Sequence, residues 1–256
     1  MNKFEHFSRY FRFLLATSER DRKRVYAVRH HVFRGEFNYA LGDDLRSDFE
    51  RDRYDATSLL CLVEHRDTGR TAGCVRLIMP PRGVGPTLEA LPLERFCGNS
   101  LKDLPLHPGR LPRDQVCEIS RLAVPSLFRR RHGERRTPAG NVAEFAFPPE
   151  HTRTFPLIGV SLFLAATAMV GFVKRHHVYA MMEPKLARLL ALNDLHFHQI
   201  GNIMEYYGKR AAFYIDQHRA VADMRPELAD FYTFIQDELH PHFLSASEAA
   251  ESSRLA

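Results

Sequence analysis

The sequence predicts an α/β fold of the α+β kind. Short apolar, partly β-branched runs alternate with segments of helical periodicity. Two of those runs are joined by a four-residue turn, and one charge-free run of nineteen residues suits a helix buried against a sheet. At 256 residues the chain is one large domain or two small ones, with ample sequence for a core. The division expected is a main unit over residues 1–222 followed by a C-terminal helix and a disordered tail over 223–256.

Residues 10–16 have short strand character, and Ser18 with Glu19 and Asp21 opens a helix to about Phe33. Residues 34–54 are polar and acidic and read as a loop, or a loose helix, over a pocket. Residues 58–64 and 71–79 form the clearest hairpin, turned by Arg66-Asp67-Thr68-Gly69. The Pro and Gly density of residues 80–113 predicts a long irregular connection with a helical turn at 91–96.

Residues 116–124 then form a buried strand that Pro125 ends. Residues 155–173 are just long enough to span a bilayer. Thr154 as N-cap, Pro156 in the first turn and the basic residues that follow favour a core helix instead. A strand at 177–182, a helix starting at Glu183-Pro184 and an antiparallel pair, 196–206 with 210–215, come next. A last amphipathic helix over 226–239 precedes the tail SASEAAESSRLA, whose composition reads as disordered.

The strand at 116–124 is interrupted by Glu118 and Arg121. An uncompensated buried charge costs several kcal/mol, so each needs a partner or a substrate. Residues three apart point to opposite faces of a regular strand, so the two share one cleft only across a bulge, expected near Ser120. The formal charge is +5, and much of the positive charge is clustered at Arg129, Arg130, Arg131, Arg135 and Arg136. Cys61, Cys74, Cys97 and Cys117 form no CxxC pair, which fits a reduced cytoplasmic protein. The N-terminus has no uninterrupted apolar stretch of the signal-peptide kind, and export is not expected. The pairs His30-His31, His176-His177, His196-x-His198 and His240-x-His242 lack a companion HExxH or Cys pair, so no metal site is expected.

Taken together, these elements resemble the GNAT acyltransferase fold, and more narrowly its acyl-homoserine-lactone synthase and N-acyl amino acid synthase branch. Four motifs carry the resemblance in order: Arg29-x-x-x-Phe33, Glu50-x-Asp52-x-x-Asp55, Arg76 in GCVRL, and Glu118-x-Ser120-Arg121. The stretches EISRLAVPSLFRRR and YAMMEPKLARLLALNDLHFHQIGNIMEYYGKR resemble the acyltransferase of the PEP-CTERM/exosortase system. Homoserine-lactone synthases of this type usually carry a Trp ten residues after the first-helix Arg. This chain has Tyr39 there and no Trp, which favours an ordinary amino acid over S-adenosylmethionine as acceptor.

The resemblance implies a GNAT-like domain over residues 1–222, with a central, mixed, mostly antiparallel sheet flanked by helices and a splayed strand pair. It also implies acyl transfer from an acyl carrier protein or acyl-CoA thioester to an amine, with no permanently bound cofactor. Glu118 is then the base, with Ser120 and Arg121 in the same catalytic motif. The donor's pantetheine arm lies between the Glu118 strand and residues 178–182, and backbone N–H groups freed at the bulge hold the oxyanion.

Arg29, Arg76 or Arg121 offers a fork for the acceptor's carboxylate, Asp52 and Asp55 orient those arginines or bind the ammonium, and Phe33 and Tyr39 close the pocket. The Arg129–Arg136 cluster suits an acidic carrier protein better than coenzyme A phosphates, since only Gly133 is there to build a phosphate-cradling turn. Nucleic acid is not expected, because no aromatics interleave with the arginines. The lipid product offers a route to peripheral association with the inner membrane face. An autoinducer synthase and a non-catalytic basic binding module remain as alternatives. So do plainer readings of the parts: a structural Glu118–Arg121 ion pair, a solvated acidic loop and a solvated basic face.

Overall fold

The computed structural model describes residues 3–80, 90–129, 151, 154 and 156–255. Helix α1 (Lys3–Tyr10) leads into β1 (Phe11–Leu15), and α2 (Glu19–His30) runs on into a π-helical turn at His31–Glu36. Ser18 caps α2 as its sequence predicts, its hydroxyl accepting from the Asp21 N–H. The hairpin is β2 (Ser58–His65) and β3 (Thr71–Ile78), followed by α3 (Pro92–Cys97), β4 (Val116–Ala123) and α4 (Ser126–Arg129). The second half comprises α5 (Leu157–Phe172), β5 (His177–Met182), α6 (Pro184–Ala191), β6 (His198–Gln199), β7 (Met204–Glu205), β8 (Lys209–Asp216), α7 (Gln217–Ala222) and α8 (Pro226–Leu255).

The strands form one mixed sheet in the order β1-β2-β3-β4-β5-β8-β6, with β7 also on β8. Every pairing is antiparallel except β4 with β5. Helices α5, α8 and α1 cover one face, where Phe7, Phe13, Ile119, Leu164, Phe213 and Phe231 share a core. On the other face α2 packs through Val25 onto Leu60 and Leu62, while α3 and its approach pack Leu91 and Leu93 against Ile78 and Tyr179.

Helix α5 is buried almost all round, which accounts for its lack of charge. Its 16 residues reach only about 24 Å. No helix among the described residues is long and apolar enough to cross a membrane. Thr154 does not cap it; the Thr154 hydroxyl donates to the His151 carbonyl.

Two expectations are corrected. The tail at 245–255 is not disordered but continues α8, because its Ala, Glu and Leu are good helix formers and no glycine interrupts them. The strand expected over 196–206 is instead two residue pairs, β6 and β7, each bonded separately to β8.

Close approach of α5 to the sheet depends on Gly73. A Cβ there would lie 2.9 Å from Leu162 Cδ1 and 3.0 Å from the Ala123 carbonyl oxygen. Gly73→Ala is therefore expected to lower the unfolding free energy by about 1–3 kcal/mol, read from the urea midpoint.

Candidate active site

A closed set of three arginines and three carboxylates stands beneath the middle of the sheet. Arg29, at the end of α2, is fully buried; its Nε donates to Glu50, and its two terminal nitrogens meet both Asp55 oxygens at 2.6 and 3.0 Å. Arg76, on β3, is also buried. It grips Asp52 with two bonds of 2.6 and 3.1 Å, reaches Asp55 at 3.0 Å, and donates through Nε to Ser120 Oγ at 3.0 Å. Arg121 closes the ring through Glu50 (3.0 Å) and Asp52 (2.9 Å).

The acidic residues are held in place by a tight turn. Asp52 accepts from the Tyr54 N–H, while Asp55 accepts from the Asp52 N–H, a reciprocal cap on the 3-10 turn Arg53–Thr57. The acidic run is thus no solvated loop at its C-terminal end.

Burial alone would raise the Asp55 and Asp52 carboxyls. The guanidinium groups of Arg29 and Arg76 outweigh it at Asp55, and those of Arg76 and Arg121 at Asp52, so both carboxyls lie below their usual range. Burial likewise opposes the charge on Arg29, and Glu50 and Asp55 reverse that, keeping it protonated.

The predicted bulge is present, one residue beyond Ser120. Arg76 pairs with Ser120 but Cys74 pairs with Ala123, so β4 spends three steps where β3 spends two. Arg121 takes a left-handed φ of 53° there. The extra residue turns Arg121 toward Asp52 and onto the side that Glu118 and Ser120 already occupy. All three line one pocket of about 440 Å³.

The pocket runs through the sheet. Parallel pairing of β4 with β5 covers Val116–Ile119 and stops at Ala180. Beyond that point the strands part, and residues from both faces border the same cavity. On the α3 side are Asp52, Glu118, Ser120, Arg121, Tyr206 and Arg210. On the α5 side are Phe128, Pro156, Gly159, Phe163, Met182 and Leu186, none of them charged. Glu118 is only 2% exposed, and one of its oxygens accepts from the Leu93 N–H at 2.9 Å. Burial pushes its carboxyl up to about 8, against smaller opposing effects of that hydrogen bond, Arg76 and Arg121.

The sequence-predicted residues divide into two tiers. Phe33, Tyr39, Asp52, Glu118, Ser120, Arg121 and Arg129 border the cavity, whereas Arg29, Asp55 and Arg76 stand behind it with their guanidinium and carboxylate groups engaged with one another. Arg129 sits at the rim, bonded to Glu36 and with its guanidinium 4.7 Å from the Phe37 ring centroid. Arg130, Arg131, Arg135 and Arg136 lie outside the described residues.

Sequence reasoning missed Tyr206, Tyr207 and Arg210. They sit on and beside a tight turn whose Tyr207 and Gly208 have positive φ. Tyr207 packs on Tyr39 at 4.9 Å and donates to the Ala40 carbonyl, tying this turn to the loop after α2. The Tyr-Tyr-Gly-Lys composition signals the turn, but nothing local shows that it faces Glu118.

Among the described residues, His65, Asp67 and His151 bring metal-ligating atoms within 4.8 Å of one another. The two imidazoles are hydrogen-bonded to each other at 3.1 Å, and none of the histidine pairs singled out by spacing takes part.

Asp55→Asn leaves Arg29 and Arg76 short of a counter-charge in a buried site. It should lower stability by about 3–5 kcal/mol in urea unfolding at pH 7. In the parent protein the Asp52 and Asp55 contribution is full above the unfolded pKa of ~3.9 and is lost as pH falls below it, so the variant's deficit should shrink toward pH 3.

Residues 28–137, the stretch holding all four charged motifs, match the family model for the acetyltransferase (GNAT) domain. No curated protein matches the sequence. Among solved structures the chain is similar to FeeM, an N-acyl amino acid synthase from uncultured soil microbes, at 12% identity and a TM-score of 0.56, over 86% of this chain and 97% of that one. It is similar to TofI, solved in a ternary complex with an inhibitor and MTA, at 18% identity and a TM-score of 0.54, over 85% and 99% of the two chains. A CoA-dependent acyl-homoserine lactone synthase, BjaI, solved with SAM and isopentyl-CoA, aligns at 16% identity and a TM-score of 0.51, over 87% of each chain. At such identities the likeness is one of fold, and the parted strands, the bulged E-x-S-R strand and the flanking helices together give this chain the GNAT-type fold.

Proposed function

We propose that this chain is an N-acyltransferase that moves a fatty acyl group from a thioester donor to the α-amine of an amino acid. The observation that carries the proposal is a buried carboxylate at the point where two strands part, with a polar chamber on one side of the sheet and, among the described residues, a mainly apolar one on the other. The acyl chain occupies the mainly apolar chamber between α5 and α6, and the acceptor occupies the chamber lined by Asp52, Ser120 and Arg121. The thioester carbonyl lies in the gap between them.

Glu118, ionised, takes a proton from the acceptor's ammonium, directly or through a water. The freed amine attacks the carbonyl carbon, and a C–N bond forms. Backbone N–H groups on the unpaired edges of β4 and β5 stabilise the oxyanion. Its collapse breaks the C–S bond as the nitrogen gives up its surplus proton, and the departing thiolate takes that proton up, leaving a neutral amide and a thiol. Arg29, Asp55 and Arg76 act through others, holding Asp52, Ser120 and Arg121 at the cavity wall.

An acyl carrier protein is the preferred donor partner, docking its acidic surface on Arg129 and the arginines that follow it in sequence. The PEP-CTERM-like stretches bear on this reading because they run through the same strand and the Tyr206–Arg210 turn. Tyr39, packed against Tyr207, stands where the lactone synthases usually have Trp, which favours an amino acid as acceptor.

Incubating the purified protein with acyl carrier protein or coenzyme A thioesters and a mixture of amino acids should yield N-acyl amino acids by mass spectrometry. Folded protein that forms no acyl amide from either donor rules the proposal out. Because the Glu118 carboxyl is raised to about 8, kcat/KM should climb with pH through a limb near that value as the base form appears. Glu118→Gln should reduce kcat by roughly 10²–10⁴-fold and leave the circular dichroism spectrum unchanged. A Cβ at Gly159, which lines the cavity, would meet no heavy atom of the described residues within 4 Å, so a side chain there projects into the cavity. Gly159→Leu should therefore shift donor preference toward shorter acyl chains while sparing turnover of the shortest one.

A further inference from the structure

We infer that Arg210 receives the acceptor's carboxylate, so that the enzyme selects amines carrying an anionic group beside the reacting nitrogen. This rests on the acyl-transfer reading above and adds what that reading leaves open, since the arginines closest to Glu118 are already neutralised. Of the three cations lining the cavity among the described residues, Arg121 is bonded to Glu50 and Asp52, and Arg129 to Glu36. Arg210 has Glu183 only at 3.9 Å. Its Nε donates to the Tyr206 carbonyl at 2.9 Å, which anchors the group against the turn, while the contact from Nη2 to the Tyr207 carbonyl is a long 3.5 Å. The terminal edge of the guanidinium, the edge that binds carboxylates with two parallel bonds, is thus held in place with no anionic partner closer than Glu183 among the described residues.

Register puts this edge within reach of the chemistry. Glu118 pairs with Tyr179 and Tyr179 with Tyr214, so Arg210 lies two strands over and four residues toward the open end of the splay. Even spacing along β8 sets it on the same face as Tyr214, and hence as Glu118. Ordinary strand spacing and rise separate the two Cα atoms by about 16 Å. Two long side chains reaching toward each other reduce that to the span of one amino acid, amine at Glu118 and carboxylate at Arg210.

The test compares an amino acid with its primary amide as acceptors, at saturating donor, in the parent protein, Arg210→Gln and Arg210→Lys. The parent should prefer the acid. Arg210→Gln should lose about ten- to a hundredfold in kcat/KM for the acid, the worth of a charged hydrogen-bonded pair, mainly through the acceptor's KM. Its rate with the amide and its donor KM should stay within about twofold, and Arg210→Lys, which keeps the charge but not the fork, should fall between. A merely structural role would lower both acceptors alike. An acid-to-amide preference unchanged in both variants overturns this assignment and leaves acyl transfer standing. A parent protein that acylates neither acceptor overturns both.

Discussion

Six interlocked charges, four of them buried and two, Asp52 and Arg121, half-buried at the cavity wall, constrain the rest of this molecule. Removing any one of Arg29, Arg76, Arg121, Glu50, Asp52 or Asp55 from water is costly, and the attraction of a single partner seldom offsets it. Here the cost is met collectively, because three guanidinium groups and three carboxylates share eight hydrogen bonds and sum to zero charge. The members come from α2, the loop before β2, β3 and the bulge of β4. Satisfying the network therefore fixes how those four segments meet, and no segment can shift without stranding a charge.

The bulge follows from the same constraint. Arg121 can reach Glu50 and Asp52 only if β4 breaks its alternation, and the left-handed backbone at Arg121 is the local cost of that contact. Once β4 has turned, it no longer runs beside β5, and pairing ends at Ile119 and Ala180. The slot through the sheet is thus a consequence of the ion network as much as of the strands themselves. It leaves Glu118 buried in poorly hydrated surroundings next to a cavity, the setting that raises a carboxyl toward neutral pH and suits it to accept a proton.

The cavity's two ends differ for a reason visible in the layers. One face of the sheet is covered by the charge-free α5, so the lining that Gly159, Phe163 and the neighbouring Phe128, Met182 and Leu186 give the chamber there is apolar. The other face meets α2, α3 and the tyrosine turn, which bring polar groups. A substrate with a long apolar tail and a polar reactive end matches that asymmetry, and the proposed acyl transfer places each part accordingly.

The sequence by itself determined the order and kind of most elements. It marked the capped helix at Ser18, the hairpin, the interrupted strand and its bulge, and the charge-free helix, because periodicity, capping residues and turn composition act over a few neighbours. Four ordered motifs also singled out Arg29, Asp52, Asp55, Arg76, Glu118 and Arg121 before any contact was known. Tertiary structure alone decided which of these charges neutralise one another and which border the cavity, since that depends on pairings across twenty to seventy residues. It also decided the place of Arg210 and the two tyrosines beside it. Their turn was legible, but their approach to Glu118 arises only when β8 joins β5, a contact that local sequence does not encode.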